Sequence, residues 1–132
     1  MGQTVKKLIC LLLAVMMLTA CGQDKEKDQG AVYVNITAEE AKQIMDTEEG
    51  YIILDVRTWE EYYEGHIPGA IQISHEEIPT KAEKVLTDKD QLILVYCRSG
   101  RRSKIAAEAL VKLGYTNIKE FGGIIDWPYE VE

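Results

Sequence analysis

The chain has 132 residues, of which 46% are hydrophobic and 28% charged, and its formal net charge is −7. That length suits one domain with a sizeable core, and the apolar content excludes a disordered protein and a collagen-like repeat. Because 22 acidic residues outnumber 15 basic ones, the chain would repel a polyphosphate backbone, and nucleic acid is not an expected partner.

Residues 1–20 have the layout of a secretory signal peptide. Lys6 and Lys7 are their only charges, and an apolar run over residues 8–18 follows. This run is too short to cross a hydrocarbon core as a helix, which takes about 20 residues. The segment ends in Leu-Thr-Ala-Cys at Cys21, which resembles the lipobox of bacterial lipoproteins. The resemblance implies cleavage before Cys21, lipidation of its thiol and an extracytoplasmic protein anchored to the membrane. The alternatives are a plain signal peptide and a buried helix with a chance cysteine.

Residues 21–30 are predicted to form the lipidated N-terminus and a flexible tether, because residues 22–30 contain no apolar side chain that could pack. Cys10 would leave with the signal peptide and Cys21 would carry the lipid. Cys97 is then the remaining free thiol, so no disulfide within the chain is expected. Residues 31–132 remain for the folded domain.

From residue 31 onward, apolar runs that predict strands alternate with signals that predict helices. Strands are predicted at residues 31–36, 51–56, 71–74, 91–96 and 117–121. Thr37, Thr58 and Ser74 are each followed three residues later by glutamate, a capping-box pattern that begins a helix, and a further helix is predicted over residues 101–113. The alternation predicts an α/β fold: a single domain with a mainly parallel central sheet flanked by helices on both faces. In such sheets ligands bind beyond the carboxyl ends of the strands, which selects the residues after Val56 and Tyr96.

The segment after Tyr96 combines a cysteine, a glycine and several cations at the start of a helix. Residues 97–104 read Cys-Arg-Ser-Gly-Arg-Arg-Ser-Lys, with four cationic side chains and no acid. Cationic neighbours and a helix N-terminus lower the pKa of a thiol, so Cys97 is expected to be largely thiolate at neutral pH. A thiolate in such a loop is suited to attack an anionic substrate. The competing interpretation is a buried structural cysteine beside a solvated helix start.

The motifs of residues 31–132 together resemble a single rhodanese-like (sulfurtransferase) domain. The loop pattern Cys-x-x-Gly-x-Arg is matched by Cys97, Gly100 and Arg102. The other matching motifs are Leu54-Asp55-Val56-Arg57, Glu60-Glu61-Tyr62, Gly65-His66-Ile67-Pro68-Gly69-Ala70, Gly122-Gly123 and Trp127.

The resemblance implies a double displacement. Cys97 would take a sulfane sulfur from a small anionic donor such as thiosulfate, and would pass it from a persulfide to a thiol or cyanide acceptor. The backbone N–H groups of the loop would stabilise the anionic sulfur, and its arginines would hold the oxyanion end of the donor. The substrate-binding residues implied in this way are Arg98, Ser99, Gly100, Arg101, Arg102 and Ser103. A tethered binding or sulfur-carrier module without catalysis is the alternative function.

Asp55 and Arg57 lie at the carboxyl end of a predicted strand and have two interpretations. They either orient the loop from beneath or form a structural ion pair. No cofactor is expected, and the two histidines and one free thiol lie too far apart in sequence for a metal site. Phosphatases of the protein-tyrosine type need Cys-x5-Arg, whereas Arg102 gives Cys-x4-Arg, which argues against phosphoryl transfer.

Overall fold

The computed structural model describes residues 32–132, which form a five-stranded parallel sheet with helices on both faces. The strands are β1 (Val34–Asn35), β2 (Ile52–Asp55), β3 (Ile71–Gln72), β4 (Ile93–Cys97) and β5 (Ile118–Gly123), in the order β1-β5-β4-β2-β3. The α-helices are α1 (Ala38–Thr47), α2 (Trp59–Glu64), α3 (Ile78–Val85) and α4 (Arg101–Lys112), with 3-10 turns at His75–Glu77 and Ile124–Asp126. The predicted α/β class is confirmed. The predicted signal peptide and tether lie outside the described residues.

Two apolar clusters cover the two faces of the sheet. Successive strand residues point to opposite faces, so β4 places Val95 and Cys97 with α3 and α4, and Leu94 and Tyr96 with α1. Every residue of β4 is buried, which explains its almost uninterrupted apolar sequence. Burying one such aliphatic side chain stabilises the fold by about 1.5–3 kcal/mol. β4 is therefore a fixed central strand, and Cys97 ends it.

Two of the three predicted capping boxes are confirmed, and the one at Ser74 is wrong. The Thr37 hydroxyl accepts the Glu40 N–H and the Glu40 carboxylate accepts the Thr37 N–H, both at 3.1 Å, and Thr58 begins α2 with the same capping box. Ser74 makes no such cap. A 3-10 turn follows it, and α3 starts at Ile78 with Pro79 in its first turn, where proline is favoured because that N–H has no helical partner.

None of the helices within residues 32–132 has the length and apolar character needed to span a membrane.

Candidate active site

Cys97 lies at the carboxyl end of β4 with 1% of its surface exposed. The loop that follows turns at Gly100, whose φ of +106° falls in the left-handed region that glycine adopts without steric cost. Arg101 then begins α4. This turn directs the Gly100 N–H at the sulfur, with 3.0 Å between the nitrogen and Sγ. Strand, loop and helix N-terminus thus converge on one sulfur atom, as the sequence predicted.

The glycine pair at the end of β5 allows the loop to lie against the sheet. A Cβ atom on Gly123 would stand 1.9 Å from the Arg98 carbonyl oxygen and 2.5 Å from the Ser99 nitrogen. Gly123 is the register partner of Cys97, at an irregularity in the β4–β5 pairing. The Arg98 carbonyl then accepts the Ile125 N–H at 3.2 Å. The position of the loop therefore depends on the absence of a side chain at residue 123.

The sulfur is surrounded by hydrogen-bond partners. Burial raises the pKa of the Cys97 thiol, but hydrogen bonds from the Ser103 hydroxyl and from the backbone N–H groups of Ser103, Gly100 and Ser99 outweigh it, so the net pKa is lowered. The direction is the one that the cationic loop predicted. Its largest source is different, because hydrogen bonds of the folded loop lower the thiol pKa most, while the charge of Arg102 also interacts with the sulfur.

The Arg102 guanidinium forms an ion pair that no local sequence pattern indicates. Its Nη1 and Nη2 atoms donate to the two Glu61 carboxylate oxygens at 2.7 and 2.9 Å. Hydrogen bonding to Arg102 lowers the pKa of Glu61 to about 2. Arg102 therefore joins α4 to α2 instead of facing an open site. Arg98 and Arg101 are exposed, and no acid among residues 32–132 pairs with either of them.

Asp55 and Arg57 form a buried ion pair, with 0% and 5% of their surfaces exposed. The Arg57 Nη2 donates to Asp55 Oδ2 at 2.6 Å and to the Gly65 carbonyl at 2.7 Å, and the Tyr96 hydroxyl donates to the same Oδ2 at 2.7 Å. Burial disfavours the charge on Arg57, but its hydrogen bonds to Asp55 and the charge of that carboxylate raise its pKa overall. Of the two interpretations left open by the sequence, this geometry supports the structural pair.

A cavity of about 390 Å³ lies beside the loop, between α2 and the turn after β5. Its charged lining residues are Arg57, Arg98, Glu61 and Glu64, and its apolar ones are Ile124 and Ile125. A larger cavity, of about 510 Å³, lies on the opposite face of the sheet from Cys97, next to Trp127 and Tyr51. Among residues 32–132, no three His, Cys, Asp or Glu side chains are grouped so as to hold a metal ion.

Three residues at this site make contacts that the sequence does not predict. The sequence identifies Glu61 as a capping residue and as part of the Glu60-Glu61-Tyr62 motif, but does not indicate that the same carboxylate also binds Arg102. Glu120 lies in β5 with 2% of its surface exposed, directly beneath Ser103. Its signal in the sequence was a single acid between Ile118 and Phe121, in a strand expected to be buried. The contact between Gly123 and the loop had no local signal.

The comparisons with known proteins agree with this geometry. A family model described as Rhodanese-like domain matches residues 37–128. Thiosulfate sulfurtransferase PspE of Escherichia coli is 38% identical over 73 residues, which cover 55% of this chain and 70% of PspE. YrkF of Bacillus subtilis, whose name proposes a sulfur carrier protein, is 35% identical over 112 residues, which cover 84% of this chain but only 60% of YrkF.

Solved structures show the same fold. A rhodanese with anions from E. coli has a TM-score of 0.58 at 34% identity and covers 62% of this chain and 96% of its own. The Alr3790 protein from Anabaena has a TM-score of 0.68 at 28% identity, covering 74% and 90%. Since the family model spans the cysteine loop and both flanking motifs, the chain belongs to the rhodanese-like domain family.

Proposed function

We propose that the protein is a membrane-anchored sulfurtransferase that moves a sulfane sulfur from a donor such as thiosulfate to a thiophilic acceptor through a persulfide on Cys97. Its relatives include sulfurtransferases, which supports sulfur transfer in general. The observation that carries the proposal is the contact between the Gly100 N–H and the buried Cys97 sulfur at 3.0 Å, inside a loop that lowers the pKa of that thiol.

The first step is a nucleophilic displacement at sulfur. The Cys97 thiolate attacks the outer sulfur of thiosulfate, a new S–S bond forms, and the bond between the two thiosulfate sulfurs breaks as sulfite leaves with the electron pair. The persulfide that remains carries one negative charge on its outer sulfur. In the second step the acceptor attacks that outer sulfur and Cys97 leaves as thiolate, so each cycle restores the enzyme.

The residues of the loop have distinct roles in this proposal. Backbone N–H groups at Ser99, Gly100 and Ser103, which already stabilise the thiolate, would stabilise the persulfide charge. Arg98 and Arg101 supply the exposed positive charge that attracts the donor, since Arg102 is bound to Glu61.

The test of this function is incubation of the purified protein with thiosulfate, followed by mass spectrometry of the peptide that contains Cys97. The expected result is a gain of one sulfur atom, with sulfite released in equal amount. Cys97→Ser removes the nucleophile and should take up none. A wild-type protein that gains no sulfur from thiosulfate or any other sulfane donor contradicts the proposal.

The sulfur-carrier module remains the second candidate, because YrkF is named in that way. A carrier would accept one sulfur on Cys97 and turn over slowly or not at all. Repeated turnover with thiosulfate and cyanide, a dithiol or glutathione as acceptor separates an enzyme from a carrier. A single stoichiometric loading without further turnover favours the carrier.

The anchoring rests on the N-terminal sequence. Cys21 would carry a diacylglyceryl group, and two acyl chains hold a protein stably where one chain binds only marginally. Cys21→Ala should release the protein from the membrane fraction, whereas Cys10→Ala, which removes another N-terminal thiol, should not. Membrane association that survives Cys21→Ala contradicts the proposed anchor.

A further inference from the structure

Glu120 is a buried acid that the proposed sulfur transfer does not use. It lies in β5 with 2% of its surface exposed. Its Oε1 accepts the Ser103 hydroxyl proton at 2.7 Å and the Gly122 N–H at 2.9 Å. Burial of a carboxylate is costly unless hydrogen bonds compensate for lost water, and these two donors supply that compensation. One of the two donors also contacts the sulfur of Cys97.

Ser103 connects the carboxylate to the sulfur. Its Oγ lies 2.7 Å from Glu120 Oε1 and 3.4 Å from Cys97 Sγ, and Ser103 has none of its surface exposed. A hydroxyl has a single proton to donate, although its oxygen can accept further bonds. When Cys97 is a thiol, the S–H donates to Ser103 and the Ser103 hydroxyl donates to Glu120, so every group is satisfied.

The thiolate changes this arrangement. A thiolate has no proton to donate, and it needs the hydroxyl proton of Ser103 as a donor. The carboxylate needs the same proton. One of the two anions therefore lacks the bond from Ser103 and is left with its backbone donors, such as the Gly100 N–H for Sγ or the Gly122 N–H for Oε1. The two distances place Sγ and Oε1 within about 6 Å of each other.

We propose that Glu120 is a positioning residue for Cys97: its carboxylate competes with the Cys97 sulfur for the single hydroxyl proton of Ser103, and so favours the state in which negative charge has moved from Sγ to the outer sulfur of a persulfide. The bias toward the persulfide rests on the proposed sulfur transfer. The competition for the Ser103 proton concerns only the protein without bound sulfur.

The persulfide relieves the competition. Its negative charge lies on the outer sulfur, one S–S bond of about 2 Å beyond Sγ, while Sγ has become a neutral disulfide-like atom. Ser103 can then donate to Glu120 without depriving an anion at Sγ. Glu120 thus raises the free energy of the thiolate relative to the persulfide, which promotes loading of the cysteine with sulfur.

Other charged groups lie around Cys97 and Glu120, and none of them hydrogen-bonds to the Ser103 hydroxyl. The loop and α4 contribute Arg98, Arg101 and Arg102, and Glu61 of α2 binds Arg102. At the end of β2 lies the buried ion pair of Asp55 and Arg57. Next to β1, the Tyr33 hydroxyl interacts electrostatically with Glu120. All of them stay in place when only the charge at residue 120 is changed.

The test compares Glu120→Gln with Glu108→Gln in the full-length protein. Glutamine keeps an oxygen that accepts from Ser103 and Gly122 and removes only the charge, and Glu108 is an exposed acid on α4 that provides the matched control. The measurement is the pH dependence of iodoacetamide alkylation at Cys97, read from the peptide that contains it. Circular dichroism establishes that each variant is folded.

Glu120→Gln should lower the midpoint of Cys97 alkylation by about three pH units: about two from the Coulomb effect of one charge at about 6 Å and an effective dielectric of about 20, and about one from release of the Ser103 proton to the sulfur. In a Ser103→Ala background only the Coulomb part, about two pH units, should remain, because the contested proton is gone. Ser103→Ala alone should raise the midpoint. Glu108→Gln should leave it unchanged.

An unchanged or raised midpoint in folded Glu120→Gln overturns the proposal, as does an equal shift with and without Ser103. If Glu120→Gln does not fold, a midpoint in Ser103→Ala that fails to rise overturns it instead.

With sulfur transfer established, Glu120→Gln should also lower the fraction of persulfide at equilibrium with thiosulfate and sulfite, and an unchanged fraction refutes the bias toward the persulfide. A protein that takes up no sulfur refutes the proposed function, while the alkylation profile still tests the competition.

Discussion

Replacement of Gly123 by alanine should displace the cysteine loop while leaving the fold intact. The new Cβ would stand 1.9 Å from the Arg98 carbonyl oxygen, whereas ordinary van der Waals contact begins at 3.4 Å. Because the obstructing atoms belong to the backbone, no rotamer change can relieve the clash, and the loop has to move by about 1.5 Å. The Ser99 nitrogen, 2.5 Å from the same Cβ position, moves with it, and this N–H is one of the donors to Cys97.

The magnitude follows from this displacement. Misplacement of a reacting group by about 1 Å costs roughly 100-fold in rate, so sulfur uptake from thiosulfate should slow by at least that factor. Overpacking of this kind destabilises a fold by about 1–3 kcal/mol, which a domain of this size survives. The assay is the rate of sulfur gain on the Cys97 peptide, with thermal unfolding measured on the same sample.

Gly122→Ala is the matched control. Among residues 32–132, no atom outside its chain neighbours lies within 4 Å of a Cβ on Gly122, so the substitution introduces only the strain of its φ of +87°, about 1–2 kcal/mol. Gly122→Ala should therefore lose stability and keep most of its rate of sulfur uptake. Wild-type uptake by folded Gly123→Ala would show that residue 123 does not determine the position of the cysteine loop.

Three further predictions concern charged groups. Arg98→Ala and Arg101→Ala should each raise the KM for thiosulfate by about tenfold, because each removes a positive charge that attracts the donor. The reaction of the persulfide form with cyanide should stay nearly unchanged. Steady-state kinetics at constant ionic strength measure both effects. Asp55→Asn leaves the Arg57 guanidinium buried without its counter-charge and should cost about 3–5 kcal/mol in urea unfolding; a loss below 1 kcal/mol would show that the pair is not structural. Hydrogen bonding to Arg102 lowers the pKa of Glu61 from 4.5 to about 2. The ion pair therefore contributes fully to the free energy of unfolding above pH 4.5, and this contribution is lost as the pH falls toward 2. Glu61→Gln should make the free energy of unfolding less dependent on pH between 4.5 and 2.

The parts of the fold and site that the sequence predicted depend on local patterns. Thr37 and Thr58 cap helices with a glutamate three residues away, and both partners lie within one turn. The position of Cys97 follows from the rule that parallel sheets place ligands at the carboxyl ends of strands. The error at Ser74 is local as well, because Pro79 determines where α3 can begin and outweighs the capping pattern.

The parts that the sequence did not predict depend on contacts between distant residues. Ser103 and Glu120 are 17 positions apart, and they meet because α4 packs over β5 in one particular register. Arg102 and Glu61 are 41 positions apart, on two different helices. A cation in a loop motif gives no indication of which acid will bind it, so Arg102 was assigned to the donor.

The outermost strands of the sheet, β1 and β3, are only two residues long. A long unpaired edge offers its free N–H and C=O groups to the sheet of a neighbouring molecule, and this is a common beginning of aggregation. Edges this short provide very little template for such growth. When two copies of the domain meet, the short edges therefore keep the encounter from extending into a shared intermolecular sheet.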